Sequence, residues 1–265
     1  MNILVGADPE CFVKQNGKFV SAFGMIKGDK KNPQKVARGA VQVDGMALEF
    51  NIDPAATEEE FCINIQSVYN QLKAMVPGYE VVATPVADFS FEYLKGQPKE
   101  ALELGCDPDF NAWTGDINPR PDGNRPMRTA SGHVHIGFTN GVNPADGNHQ
   151  YQCNMIGKQM DFYLGLASLF YDTDVRRREM YGKGGAIRYK PYGVEYRTLS
   201  NVWLNSEKLM AWVFRNVQRG MKDLLEGKEL CQKYGDIQAI INTSNKDAAM
   251  KIIKAEKLEI PHAYC

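Results

Sequence analysis

Histidine is scarce in this 265-residue chain, with four in all, and no two cysteines stand in a Cys-x-x-Cys pair. The six cysteines are scattered singly at 11, 62, 106, 153, 231 and 265. That gives no zinc-finger spacing and predicts reduced, mostly structural thiols. Charge of one sign is lacking too: 31 basic against 32 acidic residues leave a net charge of −1. No global field therefore points to nucleic acid or a membrane surface as partner. The longest apolar run, YLGLASLFY, is far shorter than the roughly 20 residues that a bilayer span needs. The opening MNILVGADPE lacks the basic-then-apolar layout of a secretion signal, so a cytoplasmic location is expected. Internal repeats and low-complexity tracts are missing as well. What remains, 43% hydrophobic and 24% charged, suits one globular domain over residues 1–265.

Periodicity and turn chemistry set out the elements. Apolar residues predict a strand through ILVGADPECFV, a hairpin turn at Asn16-Gly17 and a returning strand at KFVSAFG. Pro9 cannot donate to a ladder, which predicts that the first strand is an edge or is bulged. AVQVDGMALEFNI reads as two strands pivoting on Asp44-Gly45. Thr57 and Glu60 form a capping box ahead of a helix at FCINIQSVYNQLKAMV. YEVVATPVADF reads as one further strand. Residues 105–130, rich in Gly, Pro, Asn and Asp, read as a long loop, and such loops are usually functional. SGHVHIGF is a strand, YQCNMIGKQMDFYLGLASLFY a helix and VEYRTLSN a strand, with the basic, glycine-rich RRREMYGKGGAIRYKPYG between the last two. From about residue 204 the chain is helical, with Gly227 as a C-cap. The expected class is α+β: an antiparallel sheet with helices on one side.

Four strands repeat one design. In SGHVHIGF, Val134, Ile136 and Phe138 share one side of the pleat, and His133 and His135 share the other. Asp8 and Glu10 are paired in the same way in GADPEC, Glu49 and Asn51 in ALEFNI, and Glu195 and Arg197 in GVEYRTL. One such strand is an ordinary solvated face. Four of them suggest a single polar sheet face assembled for chemistry, since a merely wet face favours Lys, Thr and Gln. Converging acids and imidazoles call for a cation, and Mg²⁺ or Mn²⁺ held by a few carboxylates usually carries substrate phosphates. Positive charge for phosphates is near at hand. Arg176, Arg177, Arg178, Lys183, Arg188 and Lys190 flank YGKGGAIR, and Lys27, Lys30, Lys31 and Lys35 lie in an early loop. YGKGGAIR lacks the Walker A frame, so the nucleotide signal is indirect, and a solvated charge run stays open for Arg176–Arg178.

GADPECFV, GAVQVDGMALEFNIDPA, SGHVHIGF and RRREMYGKGGAIRYKPYGVEYRTLSN together resemble the phage-encoded carboxylate–amine ligases of the glutamine synthetase-like superfamily, from about Gly6 to Trp203. The resemblance implies a curved antiparallel sheet with helices on its convex face, and ATP with two or three Mg²⁺ ions on the concave one. It implies an enzyme that phosphorylates a carboxylate with ATP and lets an amine displace the phosphate, acting in a bacterial host's cytoplasm. By position, Asp8, Glu10, Glu49, His135 and Glu195 resemble metal ligands. Arg178, Lys183, Arg188, Arg197, His133 and Asn51 are the implied nucleotide-binding positions. Arg197, Arg188 and Glu49 are the implied catalytic ones. The loop at 105–130, with Trp113, Arg120, Arg125 and Arg128, and the lysine loop at 27–38 are candidate lids and substrate readers. The expected partners are small-molecule or peptide carboxylates and amines, with an oligomer possible.

Other classes stay open. A metal-dependent amide hydrolase also uses H-x-H with carboxylates, although such zinc sites take two or three histidines, and His149 and His262 sit in an expected loop and near the C-terminus. A thiol enzyme built on Cys106 with His133, or a binding module without turnover, are further readings. ATP turnover separates the three from the ligase.

Overall fold

The structure, a computed structural model, describes residues 3–103, 108–120 and 125–261. Its strands are β1 (Leu4–Gln15), β2 (Lys18–Val20), β3 (Gln34–Val36), β4 (Gly39–Asp44), β5 (Ala47–Ile52), β6 (Glu80–Val82), β7 (Val86–Asp88), β8 (Phe110–Asn111), β9 (Met127–Thr129), β10 (Gly132–Gly137), β11 (Ala186–Lys190) and β12 (Gly193–Tyr196). The α-helices are α1 (Glu58–Met75), α2 (Phe91–Lys95), α3 (Lys99–Leu102), α4 (Gly147–Met160), α5 (Leu166–Tyr171), α6 (Arg176–Met180), α7 (Glu207–Leu225), α8 (Ile237–Asn242) and α9 (Lys246–Glu256). Among the described residues the main sheet is open and antiparallel, in the order β3-β4-β5-β1-β10-β12-β11-β8, with β2 and β6 also pairing with β1. No helix of these is long and apolar enough to cross a membrane.

The α+β class stands, with helices packed on the apolar side of the sheet. Val5, Ala7, Cys11 and Val13 of β1 alternate onto that side with Leu48 and Phe50 of β5, Val134 and Ile136 of β10, and Val194 and Tyr196 of β12. Phe61, Ile65, Val68 and Leu72 of α1 meet them at helical spacing. Each such fully buried side chain contributes about 1.5–3 kcal/mol. Thr57 Oγ1 accepts the Glu60 N–H at 3.2 Å, and Glu60 reaches back to the N–H of Ala56 at 2.9 Å, which starts α1 where the capping box predicts. Asn16 and Gly17 both take positive φ, so the predicted hairpin joins β1 to β2.

Several expectations need correction. β1 is not an edge strand; it lies between β5 and β10. The Val5 N–H donates to Ala55 O, toward β5, and that of Glu10 to Ser131 O, toward β10. By alternation Pro9 faces β5, in the stretch between the Val5–Ala55 bridge and the Glu10–Glu49 pair where no ladder forms. The missing N–H is thus harmless. YEVVATPVADF is not one strand: β6 joins β1, whereas β7 leaves to pair with β9 in a separate two-stranded sheet. The loop at 105–130 contains two short strands, β8 at the main sheet's edge and β9. Nor are all helices on one side, because Leu94 of α2 and Ala101 of α3 pack with Phe12 and Ala87 in a second, smaller core. Phe12 is out of phase with the apolar side of β1, so this core lies over one end of the polar face. His149 sits in α4 rather than in a loop.

Candidate active site

The polar side chains of the four strands do meet on one face. In register, Asp8 stands opposite His133, Glu10 opposite Glu49, His135 opposite Glu195, and Arg188 opposite Glu195 from the other side. Gly6 lies opposite His135, and an added Cβ there would stand 3.4 Å from the His135 Cβ, so a glycine leaves room beside the imidazole. Glu10, Glu49 and Glu195 do not occupy three neighbouring strands, because β10 runs between β1 and β12. That insertion is what brings the histidines between the acids.

The centre of the site is Asp8 with both imidazoles. Asp8 Oδ1 lies 2.9 Å from His135 Nε2 and 3.4 Å from His133 Nδ1. His135 Nδ1 is hydrogen-bonded to the Tyr192 hydroxyl. Asp8 Oδ1 and His135 Nε2 are both buried without a well-angled hydrogen bond, as is His133 Nε2. Burial pushes Asp8 up, but His135 and His133 outweigh it and hold the carboxyl well below the usual range. For His135 burial is likewise outweighed, by Asp8 and Glu195, and its pKa rises. His133 goes the other way, down to about 4, through burial and then Arg197. The two rings thus differ: His133 is neutral at pH 7, and its contacts with Asp8 and Glu195 are not ion pairs.

Glu195 is fully buried and ringed by cations. Lys190 Nζ is 2.9 Å away, an Arg188 guanidinium nitrogen 3.4 Å, and Arg197 Nη1 pairs with the same carboxylate. Arg197 also contacts Asp109 through Nε at 3.3 Å and His133 Nδ1 at 3.3 Å, and it lies over the Tyr181 ring. On β1 and β5, beyond β10, the acids lack such compensation. Glu10 accepts the Ser131 N–H at 2.7 Å, yet burial and then Asp44 raise it to about 7. Glu49 accepts from Gln42 Nε2 at 2.6 Å, and burial followed by Asp8, Asp44 and Glu10 raises it well above the usual range. Lys30, paired to Asp44 at 2.7 Å, is the cation that the early loop brings to this end.

Not every expected residue gathers here. Among the described residues, the grouping whose ligand atoms could hold a metal is Asp8, His135 and Glu195, all within 4.8 Å of one another. Glu10 and Glu49 stay outside it, facing each other across the β1–β5 ladder. Asn51 continues the Glu49 face of β5, and Lys183 is exposed in the glycine turn. The solvated reading of Arg176–Arg178 holds only for Arg176. Arg178 is buried against Asp172 and Ser168, and Arg177 is fully buried, donating to Thr198 O at 2.7 Å and Ser131 Oγ at 3.0 Å. Of the lid candidates, Trp113 donates to Asp161 at 2.7 Å in the helical layer, Arg125 pairs with Glu179, Arg128 is buried and Arg120 is exposed. Of the two imidazoles His133 is the deeper: its side chain is 4% exposed, against 19% for His135. Trp203 closes the start of β10, and a Cβ on Gly132 would meet its Nε1 at 2.3 Å, so the chain is tightest beside His133. Cys106 and His262 lie outside the described residues. The reduced-thiol expectation holds for Cys11, Cys62, Cys153 and Cys231, which are free.

Asp109, Tyr192 and Gln42 are not picked out as site residues by pattern, whereas Lys30 and Arg177, read as charge for phosphates, pair instead with Asp44 and with Thr198 O and Ser131 Oγ. Asp109 and Tyr192 sit in a loop and a turn where alternation gives no signal, and Gln42 is readable only once β4 is registered on β5.

An open antiparallel sheet with an acid, imidazole and arginine face is a class shared by several chemistries. Residues 127–260, half of the chain, match the family described as "Phage phiEco32-like COOH.NH2 ligase-type 2", and the chain belongs to that family. The matched span carries His133, His135, Arg188, Glu195 and Arg197; Asp8, Glu10 and Glu49 precede it. No curated protein matches the chain.

Proposed function

We propose that this protein is an ATP-dependent carboxylate–amine ligase that works through an acyl phosphate, with Mg²⁺ or Mn²⁺ and the nucleotide on the polar sheet face. One observation carries the reading: Asp8, His135 and Glu195 converge within 4.8 Å, while Arg188, Lys190 and Arg197 close on the same Glu195. The donor set fits a divalent cation. Asp8 Oδ1 and His135 Nε2 are buried 2.9 Å apart without a well-angled hydrogen bond, which is an arrangement that a shared cation relieves. When bound there, the ion would supply positive charge to phosphate oxygens.

The remaining chemistry belongs to the chain. In the reaction a substrate carboxylate oxygen bonds to the γ-phosphorus as the bond from that phosphorus to ADP breaks. The amine nitrogen then bonds to the acyl carbon, phosphate leaves with the electron pair of the C–O bond, and the amine gives up a proton. Arg197, held by Asp109, Glu195 and His133, is positioned for the charge that builds on the transferring group. Arg188 and Lys190 are partly exposed and can turn from Glu195 to phosphate oxygens when a cation replaces them there. His133 faces the same carboxylates through Nδ1, 3.4 Å from Asp8 and 3.4 Å from Glu195. Arg178 serves as a tether to Asp172 in this reading. Glu10 and Glu49 give the acidic end of the face, where a cationic amine or a further metal ion is favoured.

The test is a mass-spectrometric screen of carboxylate and amine pairs with ATP and Mg²⁺. The expected product is one water lighter than the pair, with one ADP and one phosphate released per bond. Cleavage of amides without ATP would instead establish the hydrolase.

A further inference from the structure

We propose that Tyr192 is the positioning residue of His135: its hydroxyl oxygen accepts a hydrogen bond from Nδ1–H, so the Nε2 lone pair is what the ring presents beside Asp8 and Glu195. This rests on the metal reading above and adds a residue to it.

Geometry points to this arrangement. Of the two ring nitrogens, Nδ1 makes a true hydrogen bond, to the Tyr192 hydroxyl. Nε2 is 2.9 Å from Asp8 Oδ1 yet buried without a well-angled hydrogen bond. A proton on Nε2 would meet the Asp8 carboxylate at a poor angle, and it would occupy the lone pair that a cation needs. A proton on Nδ1 is well used, and a ligating histidine usually donates its other N–H to a fixed acceptor. The rings of His135 and Tyr192 lie 5.8 Å apart and tilted by 32°, so the phenol also limits the imidazole's rotation.

Tyr192 is itself held by the strand that it serves. It lies in the two-residue turn between β11 and β12, where Lys190 pairs with Gly193. Its carbonyl accepts the N–H of Phe138 at 3.0 Å and of Thr139 at 3.1 Å, just past the end of β10, which carries His135. Hydroxyl and imidazole therefore share one rigid frame. Removing the hydroxyl leaves both backbone bonds in place, so Tyr192→Phe is expected to fold as the wild type does.

The experiment follows the imidazole nitrogens of His135 by long-range ¹H–¹⁵N correlation, with and without Mg²⁺, and measures Mn²⁺ affinity by titration. In the wild type, once the ring is neutral, Nδ1 is expected to carry the proton. In Tyr192→Phe both tautomers should be populated and the Mn²⁺ dissociation constant should rise by about ten-fold or more. A wild-type ring protonated on Nε2 overturns the proposal, and so does a variant with unchanged ring signals and Mn²⁺ affinity. Should Mn²⁺ bind neither protein while the tautomers differ as described, the metal reading fails and the control of His135 by Tyr192 stands.

Discussion

Glu10 and Glu49 stand directly opposite each other across the β1–β5 ladder, a half-buried and a buried carboxylate on one sheet face. Like charges so placed repel, and each is raised above the usual carboxylate range, by burial first and then by its acidic neighbours. Such an arrangement persists where function requires it. Glu49→Gln keeps the volume and the acceptor for Gln42 while deleting one charge. In EDTA at pH 8 the variant should be more stable than wild type by about 1 kcal/mol, a rise of roughly 2–4 °C in Tm. ATP turnover should fall by at least about 100-fold. A variant that turns over ATP as the wild type does at limiting Mg²⁺ would contradict a role for Glu49.

Arg197 spreads its fork over three partners, Glu195, Asp109 and His133. A lysine has one point charge and cannot serve them together. Arg197→Lys should lower stability by about 1–2 kcal/mol in urea unfolding, because Asp109 loses its partner. Turnover should fall far more than that loss of stability explains. Near-normal turnover at a temperature where the variant is folded would remove Arg197 from the reaction.

Asp161 offers a test by pH. It is fully buried in the helical layer and takes bonds from Trp113, the Gly185 N–H and the Tyr196 hydroxyl, yet burial raises it to about 6. A carboxyl raised above its unfolded value of 3.8 contributes stability that is fully present below about pH 4 and lost as pH rises through about 6. The shift corresponds to about 3 kcal/mol. Asp161→Asn cannot titrate. The stability of wild type relative to this variant should therefore shrink by about 3 kcal/mol between pH 4 and pH 8. A difference independent of pH would show that Asp161 keeps an ordinary carboxylate pKa.

Gly132 is a packing requirement beside the site. An added Cβ would lie 2.3 Å from Trp203 Nε1 and 2.5 Å from Ser200 O. Gly132→Ala should cost about 1–3 kcal/mol by thermal or urea unfolding, as overpacked positions do. An unchanged Tm would mean that β10 starts elsewhere.

Much of the site was legible because strand alternation is a local property. Asp8 with Glu10, Glu49 with Asn51, His133 with His135 and Glu195 with Arg197 each share a face whatever the strand order. The order itself was not legible: that β10 separates β1 from β12, and that Pro9 falls in a gap of an interior strand, follow from pairings between distant parts of the chain. Depth was not legible either. His133 is the more buried imidazole because Trp203 closes on Gly132 and Arg197 lies beside it, and neither contact has a sequence signal. The burial of the arginine run was not legible for a similar reason, since the acid that binds Arg178 is Asp172, six residues earlier and off any helical spacing. Glutamate and lysine pairs one helical turn apart, such as Lys222 with Glu226, carry a signal that this pair lacks.

The central claim is that a carboxylate is activated by phosphorylation before an amine attacks it. Once a substrate pair is found, the direct measurement is oxygen transfer from a carboxylate labelled with ¹⁸O. The account predicts that one labelled oxygen appears in the released phosphate for each amide formed, because the carboxylate oxygen bonded to phosphorus leaves with it. Phosphate without label, or amide formed with no ADP released, would contradict it.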